Sequence, residues 1–319
     1  MIPAEWLDEA SQLLADRVRR TPLTHDAGWN IYLKWENRQT TGSFKLRGAT
    51  NKILSLLPWE RERGLVAASA GNHGQGVAWA AREVGAQTTI FASKHAVPAK
   101  LEAMRSLGAD VRLVPGGYEL AERTAQQYAA EYHQTWISPY NDARVIAGQA
   151  TLGLELMDQL PDSPEVCLVP VGGGGLIAGL GLAFSRMRQR PRLIGVQSEA
   201  SPFFYELFHK GSQENVTELP SLADGLSGAV EEGSITLPLV RKYVDDIILV
   251  KETDVEEAIA VAWYRWGETI EGSAAAALAA VISGKVSGHP AVVILTGGNI
   301  QPEIHQNILR QYDAGRKSG

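Results

Sequence analysis

At 319 residues the chain is too long for one small core and suits two domains or one large α/β domain. Hydrophobic residues at 45% and charged residues at 21% exclude a disordered chain. A net charge of −6 argues against a nucleic-acid partner, which needs clustered Lys and Arg. No run reaches the roughly 18 apolar residues of a membrane span. The single cysteine, Cys167, cannot form an internal disulfide. The acidic start, Met1 to Gln12, lacks the basic and apolar regions of a signal peptide, so a cytoplasmic protein is expected.

In chain order, short apolar runs predict strands at 31–35, 65–68, 88–92, 110–114, 165–171, 192–197, 246–250 and 291–295. Most are continuous rather than alternating, the pattern of strands buried on both faces of a parallel sheet. Between them, helical periodicity predicts helices at 73–84, 98–107, 119–132, 176–188 and 255–266. Pro98 suits a first helical turn, and Gly85 and Gly108 suit the ends of the helices before them. The strand–helix alternation gives an α/β fold. The stretch 211–233 is the longest without clear periodicity and suits a site wall or an irregular surface loop.

Four segments at strand-to-helix junctions carry the candidate chemistry. In Thr41-Gly42-Ser43-Phe44-Lys45-Leu46-Arg47-Gly48-Ala49, a lysine follows a Gly-Ser turn just inside a helix start, where the helix dipole opposes its charge. Desolvation there would lower the amine pKa, as a nucleophilic lysine requires; a solvated surface lysine is the plainer possibility. Ser69-Ala70-Gly71-Asn72-His73-Gly74 opens a helix with N–H groups and polar side chains suited to a carboxylate. An ordinary N-cap would use the same residue types. Gly172-Gly173-Gly174-Gly175-Leu176 lets the backbone wrap an oxyanion at a helix N-terminus. Gly173, Gly175 and Ala178 also satisfy a dinucleotide pattern, with Glu199 near the distance of a ribose contact. Thr296-Gly297-Gly298-Asn299 ends the last apolar run with a hydroxyl that suits a ring ligand or a plain turn.

Taken together and in this order, the segments resemble the fold-type II pyridoxal-phosphate enzymes, and within them the threonine/serine dehydratases in the short form without a regulatory domain. The resemblance covers essentially the whole chain. It includes Arg20-Thr21-Pro22-Leu23, the run 145–151, Ala223-Asp224-Gly225 and Glu271-Gly272, whereas a dinucleotide site would leave three of the four segments unexplained. It implies two open parallel-sheet domains, a large one from 1–49 and 146–319 and a small mobile one from 50–145. It implies Lys45 as the lysine that carries the cofactor covalently, with Phe44 against the pyridine ring. Asn72 would bond the ring oxygen, and Gly172, Gly173, Gly174, Gly175 and Leu176 would hold the phosphate. Thr296 would meet the pyridine nitrogen where the family usually has Ser. Ser69, Ala70, Gly71 and His73 would surround the substrate carboxylate.

The implied reaction is β-elimination from L-threonine or L-serine to a 2-oxo acid and ammonia. The implied partners are a small amino-acid substrate and a second copy of the chain in a dimer. A monovalent or divalent cation is known in parts of the family; Glu199 and Asp224 are only candidates for it, and solvated surface acids are the plainer reading of both. Serine racemases resemble Ser-Ser-Gly-Asn at the carboxylate turn, whereas this chain has Ala70, which offers no proton to the opposite face of Cα. Cysteine and threonine synthases usually carry Lys-Asp, where this chain has Lys45-Leu46. A hydroxyaspartate dehydratase, an NAD-linked oxidoreductase and a non-catalytic amino-acid sensor also fit parts of the pattern, the sensor being at odds with an intact Lys45.

Overall fold

The computed structural model describes residues 2–317. The strands in chain order are β1 (Leu23–Asp26), β2 (Ile31–Trp35), β3 (Leu65–Ala68), β4 (Thr88–Ser93), β5 (Asp110–Val114), β6 (Thr135–Trp136), β7 (Val166–Pro170), β8 (Arg192–Ser198), β9 (Asp246–Val250) and β10 (Ala291–Leu295). They form two sheets, one ordered β1-β2-β10-β7-β8-β9 and the other β5-β4-β3-β6. Every pairing is parallel except that of β1 with β2. The α/β class with two parallel-sheet domains is thus the observed one.

The first compact unit comprises Met1–Arg19 and Phe44–Thr151 and holds the four-stranded sheet. Its helices are α1 (Glu5–Leu14), α2 (Lys45–Leu54), α3 (Pro58–Glu62), α4 (Asn72–Glu83), α5 (Pro98–Ser106), α6 (Tyr118–Glu131) and the first part of α7 (Ala143–Gln159). One core cluster joins Ala49 and Ile53 of α2 to Leu65, Ala67, Val77, Ala78 and Ile90. On the other face of the sheet, Val66, Ala68 and Phe91 meet Ala121, Ala125 and Ala129 of α6. Alanines on α6 keep that helix close to the sheet, and their spacing of four residues is the helical one. The sequence reading assigns 1–49 to the larger domain. In the structure α2 belongs with the four-stranded sheet, because Ala49 and Ile53 bury their side chains there, and α1 falls in the same unit.

The second compact unit comprises Arg20–Ser43 and Leu152–Gly319. It adds α8 (Gly175–Phe184), α9 (Phe203–Lys210), α10 (Thr236–Tyr243), α11 (Glu252–Trp266), α12 (Gly272–Ile282) and α13 (Pro302–Lys317). Its core sets Ile31, Leu33, Trp35, Val166, Leu168, Ile194, Val293 and Leu295 against the alanine-rich α12, all of them buried. Both α8 and α12 are buried over most of their length and apolar all round, as helices inside a large core are. A buried ion pair ties β2 to α7: Lys34 Nζ donates to Glu155 Oε2 at 2.7 Å, Gln159 Oε1 at 2.8 Å and the Thr21 carbonyl at 2.8 Å. With three acceptors the fully buried ammonium is satisfied rather than orphaned.

Most expected strand ends are observed within a residue or two, and β1 and β6 are additional. The helix expected at 176–188 instead runs from Gly175 to Phe184. Its end tightens into three-residue turns, with Arg186 N–H donating to Ala183 O and Met187 N–H to Phe184 O. The aperiodic stretch 211–233 contains only the short 3₁₀ turn Asp224–Leu226.

Candidate active site

In the first unit, the residues singled out from the sequence lie at the starts of α2 and α4. Lys45 is the first residue of α2, half-buried, and its Nζ donates to the Pro139 carbonyl at 3.0 Å. The Phe44 ring centroid lies 5.3 Å from the same nitrogen. The first turn of α2 is held from behind by α4. A Cβ on Gly76 would come within 3.2 Å of Leu46 N and 3.3 Å of the Lys45 carbonyl carbon, so a side chain there would have to press against the first turn of α2. Two residues beyond Lys45, the fully buried Arg47 donates to Thr151 Oγ1 and to the Arg19 carbonyl, each at 3.3 Å. The backbone that carries Lys45 is therefore fixed by packing and hydrogen bonds.

The turn between β3 and α4 presents Ser69, Ala70 and Gly71, followed by Asn72 as the first residue of α4. Ser69 is buried, and its Oγ accepts the Gly71 N–H at 3.0 Å. A hydroxyl that accepts through a lone pair keeps its own hydrogen for a further acceptor. Ala70 is exposed at the apex and carries no polar atom on its side chain. His73 is buried, and its ring Nε2 lies 2.9 Å from the Ile137 carbonyl, to which only an N–H can donate. Burial first, and then the positive charge of Lys45, push the His73 pKa down to about 3. The imidazole is thus neutral at physiological pH, with its proton committed to Ile137.

Two contributions in this unit carry no sequence signal. The segment after β6 supplies the carbonyls of Ile137 and Pro139, which fix His73 and Lys45. Lys100, near the start of α5, reaches over the turn at Gly71: its Nζ lies 3.8 Å and its Cδ 3.6 Å from the point a Cβ on Gly71 would occupy.

In the second unit, β7 ends at Pro170 and α8 begins at Gly175, leaving Gly172 to Gly174 as the turn. Gly174 has φ +82 and ψ −1, a left-handed conformation that disfavours any side chain. A Cβ there would also stand 2.5 Å from Cε2 of the buried Phe204 ring. Among the described residues, none accepts a hydrogen bond from the N–H groups of Gly172, Gly173 or Gly174. Leu176 lies in the first turn of α8 and is buried.

The same unit brings the turn at 41–43 against the end of β10. Ser43 bridges Gly297, Gly298 N–H donates to the Gly42 carbonyl at 2.9 Å, and Asn299 Nδ2 donates to the Thr41 carbonyl at 3.0 Å. Thr296, the residue after β10, is buried. So is Glu271, whose N–H donates to the Gly297 carbonyl at 3.0 Å. The hydroxyls of Thr41 and Ser43 are buried with no partner among the described residues. Buried hydroxyls without partners fit a ligand that brings its own polar atoms.

The two acids considered for a cation do not build a metal centre. Glu199 is exposed and lies 3.6 Å from Lys285 Nζ, and Asp224 is exposed in its 3₁₀ turn. Among the described residues no group of three or more His, Cys, Asp or Glu side chains could hold a metal ion. Nor is any described helix long and apolar enough to cross a membrane.

Comparison with known proteins decides the family, since the chain matches the family described as pyridoxal-phosphate dependent enzymes over residues 14–297. The chain belongs to the pyridoxal-phosphate dependent enzymes. Among family members it is 41% identical to the L-threonine ammonia-lyase of Thermotoga maritima, over 99% of this chain and 81% of that protein. Processed threonine deaminase isoform 2 from Solanum lycopersicum superposes with a TM-score of 0.88 at 29% identity, over 96% of this chain and 92% of that one. The serine racemase of Dictyostelium discoideum superposes with a TM-score of 0.85 at 30% identity, over 94% and 99%. Family membership makes the chain an enzyme and pyridoxal phosphate its cofactor; a dinucleotide in the glycine turn is set aside. Each unit by itself presents groups of the kind that cofactor needs: a half-buried lysine amine in the first, and in the second backbone N–H groups with no acceptor among the described residues, together with buried hydroxyls.

Proposed function

We propose that this chain is an ammonia-lyase that converts L-threonine, and also L-serine, to the 2-oxo acid and ammonia. The observation that carries the proposal is the anchored Lys45 amine at the head of α2, in a chain 41% identical to an L-threonine ammonia-lyase along almost its full length.

In this proposal Lys45 would hold the cofactor through its ε-amine, and Phe44 would pack beside the ring. The N–H groups of Gly172 to Gly175 and the α8 dipole would receive the phosphate, Thr296 would serve the pyridine nitrogen, and Asn72 would serve the ring oxygen. Pyridoxal phosphate, when bound, supplies an electron sink for charge developing at Cα.

The substrate carboxylate is received by the turn from Ser69 to His73, where the start of α4 offers N–H groups and the Ser69 hydroxyl has its hydrogen to give. The charge of Lys100 above Gly71 favours an anion there. His73 stays neutral and holds the turn against Ile137 rather than moving protons. The Lys45 amine, when free, is the general base for the Cα proton. The β-hydroxyl departs as water, and a second water molecule later releases ammonia, so threonine leaves as 2-oxobutanoate and serine as pyruvate. Thr296 is a neutral hydroxyl and cannot hold the ring nitrogen protonated as a carboxylate would, which favours prompt loss of the β-hydroxyl over long-lived charge at Cα. Ala70 has no proton for the far face of Cα, so elimination proceeds without efficient racemisation.

The test is a steady-state comparison of L-threonine, L-serine and 3-hydroxyaspartate with the purified holoenzyme, following 2-oxo acid, ammonia and D-amino acid. Turnover of L-threonine or L-serine to 2-oxo acid and ammonia in equal amounts is expected. Rapid D-serine formation, or turnover of hydroxyaspartate alone, would contradict the proposal.

A further inference from the structure

One hydroxyl that takes no part in the chemistry above is built into the glycine turn. Thr236, the first residue of α10, is fully buried, and its Oγ1 donates to the Gly173 carbonyl at 2.7 Å. Ser234 Oγ lies 2.8 Å from the same Oγ1, and the Thr236 N–H points to Ser234 Oγ at 3.3 Å. A carbonyl can only accept, so the single Thr236 hydroxyl hydrogen is committed to Gly173. Ser234 must then be the donor in the hydroxyl pair. The direction of each bond is fixed by chemistry.

The consequence falls on one peptide unit. In a trans peptide the carbonyl of Gly173 and the N–H of Gly174 lie in one plane and point opposite ways. Pinning the carbonyl toward Thr236 therefore aims the Gly174 N–H away from it. Neither flanking residue has a Cβ, so nothing intrinsic to the turn opposes a flip of this peptide. A flipped peptide would present an oxygen, and not a donor, to an anion. The Thr236 Cβ also lies 3.2 Å from the point a Gly174 Cβ would occupy, so the helix start abuts the peptide it holds.

We infer that Thr236 is a positioning residue for the cofactor phosphate, its hydroxyl locking the Gly173–Gly174 peptide in the donor-inward orientation and Ser234 setting the direction of that hydroxyl. The inference rests on the glycine turn being the phosphate site of the proposed function. It assigns the phosphate affinity of a backbone cradle to a side chain 63 residues further along the chain.

The experiment measures binding rather than turnover. Apoprotein is titrated with pyridoxal phosphate and, separately, with pyridoxal, which lacks the phosphate, by equilibrium dialysis. Thr236→Val keeps the side-chain shape and removes the donor; its dissociation constant for pyridoxal phosphate is expected to rise about five- to ten-fold, the size of one lost hydrogen bond. Binding of pyridoxal is expected to stay at the wild-type value. Thr236→Ser restores the hydroxyl and should return pyridoxal-phosphate affinity to within about two-fold of wild type. Ser234→Ala removes the orienting donor without touching Thr236, and carries the test if the valine variant does not fold; a loss of about two- to three-fold for pyridoxal phosphate alone is expected. Unchanged affinity in a folded Thr236→Val, or in Ser234→Ala if the valine variant does not fold, would overturn the inference. So would equal losses for pyridoxal phosphate and pyridoxal. Wild-type apoprotein that takes up no pyridoxal phosphate would overturn both this inference and the function beneath it, so the two failures are distinguishable.

Discussion

The two compact units supply different kinds of group. In the unit of the four-stranded sheet the groups given a role in the proposed function belong to side chains. Lys45, Ser69 and His73 each hold a set position, Lys45 and His73 against the carbonyls of Pro139 and Ile137 and Ser69 against the Gly71 N–H. In the unit of the six-stranded sheet, at the glycine turn, the groups proposed to hold the phosphate belong to the backbone. Gly172 to Gly174 offer N–H groups, and the neighbouring side chains of Phe204 and Thr236 only shape and hold the turn. The difference teaches where each unit is vulnerable. Removing the half-buried Lys45 side chain from the first takes away a proposed chemical group and leaves the packing; adding a side chain to the second disturbs the packing that presents the backbone.

The sharpest way to break this contrast is Lys45→Ala. Loss of a positioned general base lowers turnover by about 10²–10⁴-fold, and loss of the amine also ends covalent attachment of the cofactor. Far-ultraviolet circular dichroism should remain that of wild type, because Arg47 and the packing behind Gly76 still hold α2. A Lys45→Ala protein that still turns over L-threonine at a tenth or more of the wild-type rate, measured as 2-oxobutanoate, contradicts the role given to that lysine.

Next in size is Gly174→Ala. A left-handed non-glycine residue costs about 1–2 kcal/mol, and forcing a methyl group against Phe204 adds about 1–3 kcal/mol of overpacking. Both the melting temperature of the apoprotein and its affinity for pyridoxal phosphate should fall, as read by thermal melts and dialysis. Wild-type values for both would mean that the turn is not constrained as described.

A third test concerns His73, whose pKa falls from 6.5 to about 3 on folding. The unfolded chain takes up a proton as pH drops through 6.5 while the folded chain does not. Stability from this residue is therefore complete above pH 6.5 and declines as pH falls toward 3. Urea unfolding at pH 7 and pH 5 should show a larger loss in wild type than in His73→Gln. Equal losses would indicate a histidine that titrates normally in the fold.

The smallest effect is expected from Ala70→Ser, which places a hydroxyl at the exposed apex of the turn proposed to receive the substrate carboxylate. Slow D-serine formation from L-serine should become detectable by chiral chromatography, with elimination still dominant. No D-serine above the wild-type level would remove Ala70 from the account of stereochemistry.

What the sequence discloses, and what it hides, follows the same division between local and distant effects. Strands such as Leu65–Ala68 and Ala291–Leu295 are legible because burial on both faces leaves a continuous apolar run. β1 is not, because Leu23–Asp26 is a half-exposed edge strand of mixed polarity, and β6 has only two residues. The polar and glycine-rich segments are legible as turns that open α2, α4 and α8, since their residue types act locally. Lys100, Ile137, Pro139 and Thr236 are not. Each acts through a long side chain, a backbone carbonyl or one hydroxyl brought in by tertiary packing, and none leaves a periodic or compositional trace. The extent of each unit escapes the sequence for a related reason: α2 is assigned by which core buries Ala49 and Ile53, a property of contacts rather than of composition.

Borohydride reduction of the holoenzyme, followed by proteolysis and mass spectrometry, tests the central claim most directly. The account predicts a single phosphopyridoxyl adduct, on the peptide that contains Lys45. An adduct confined to another lysine, such as Lys34 or Lys100, or no adduct at all, would contradict it.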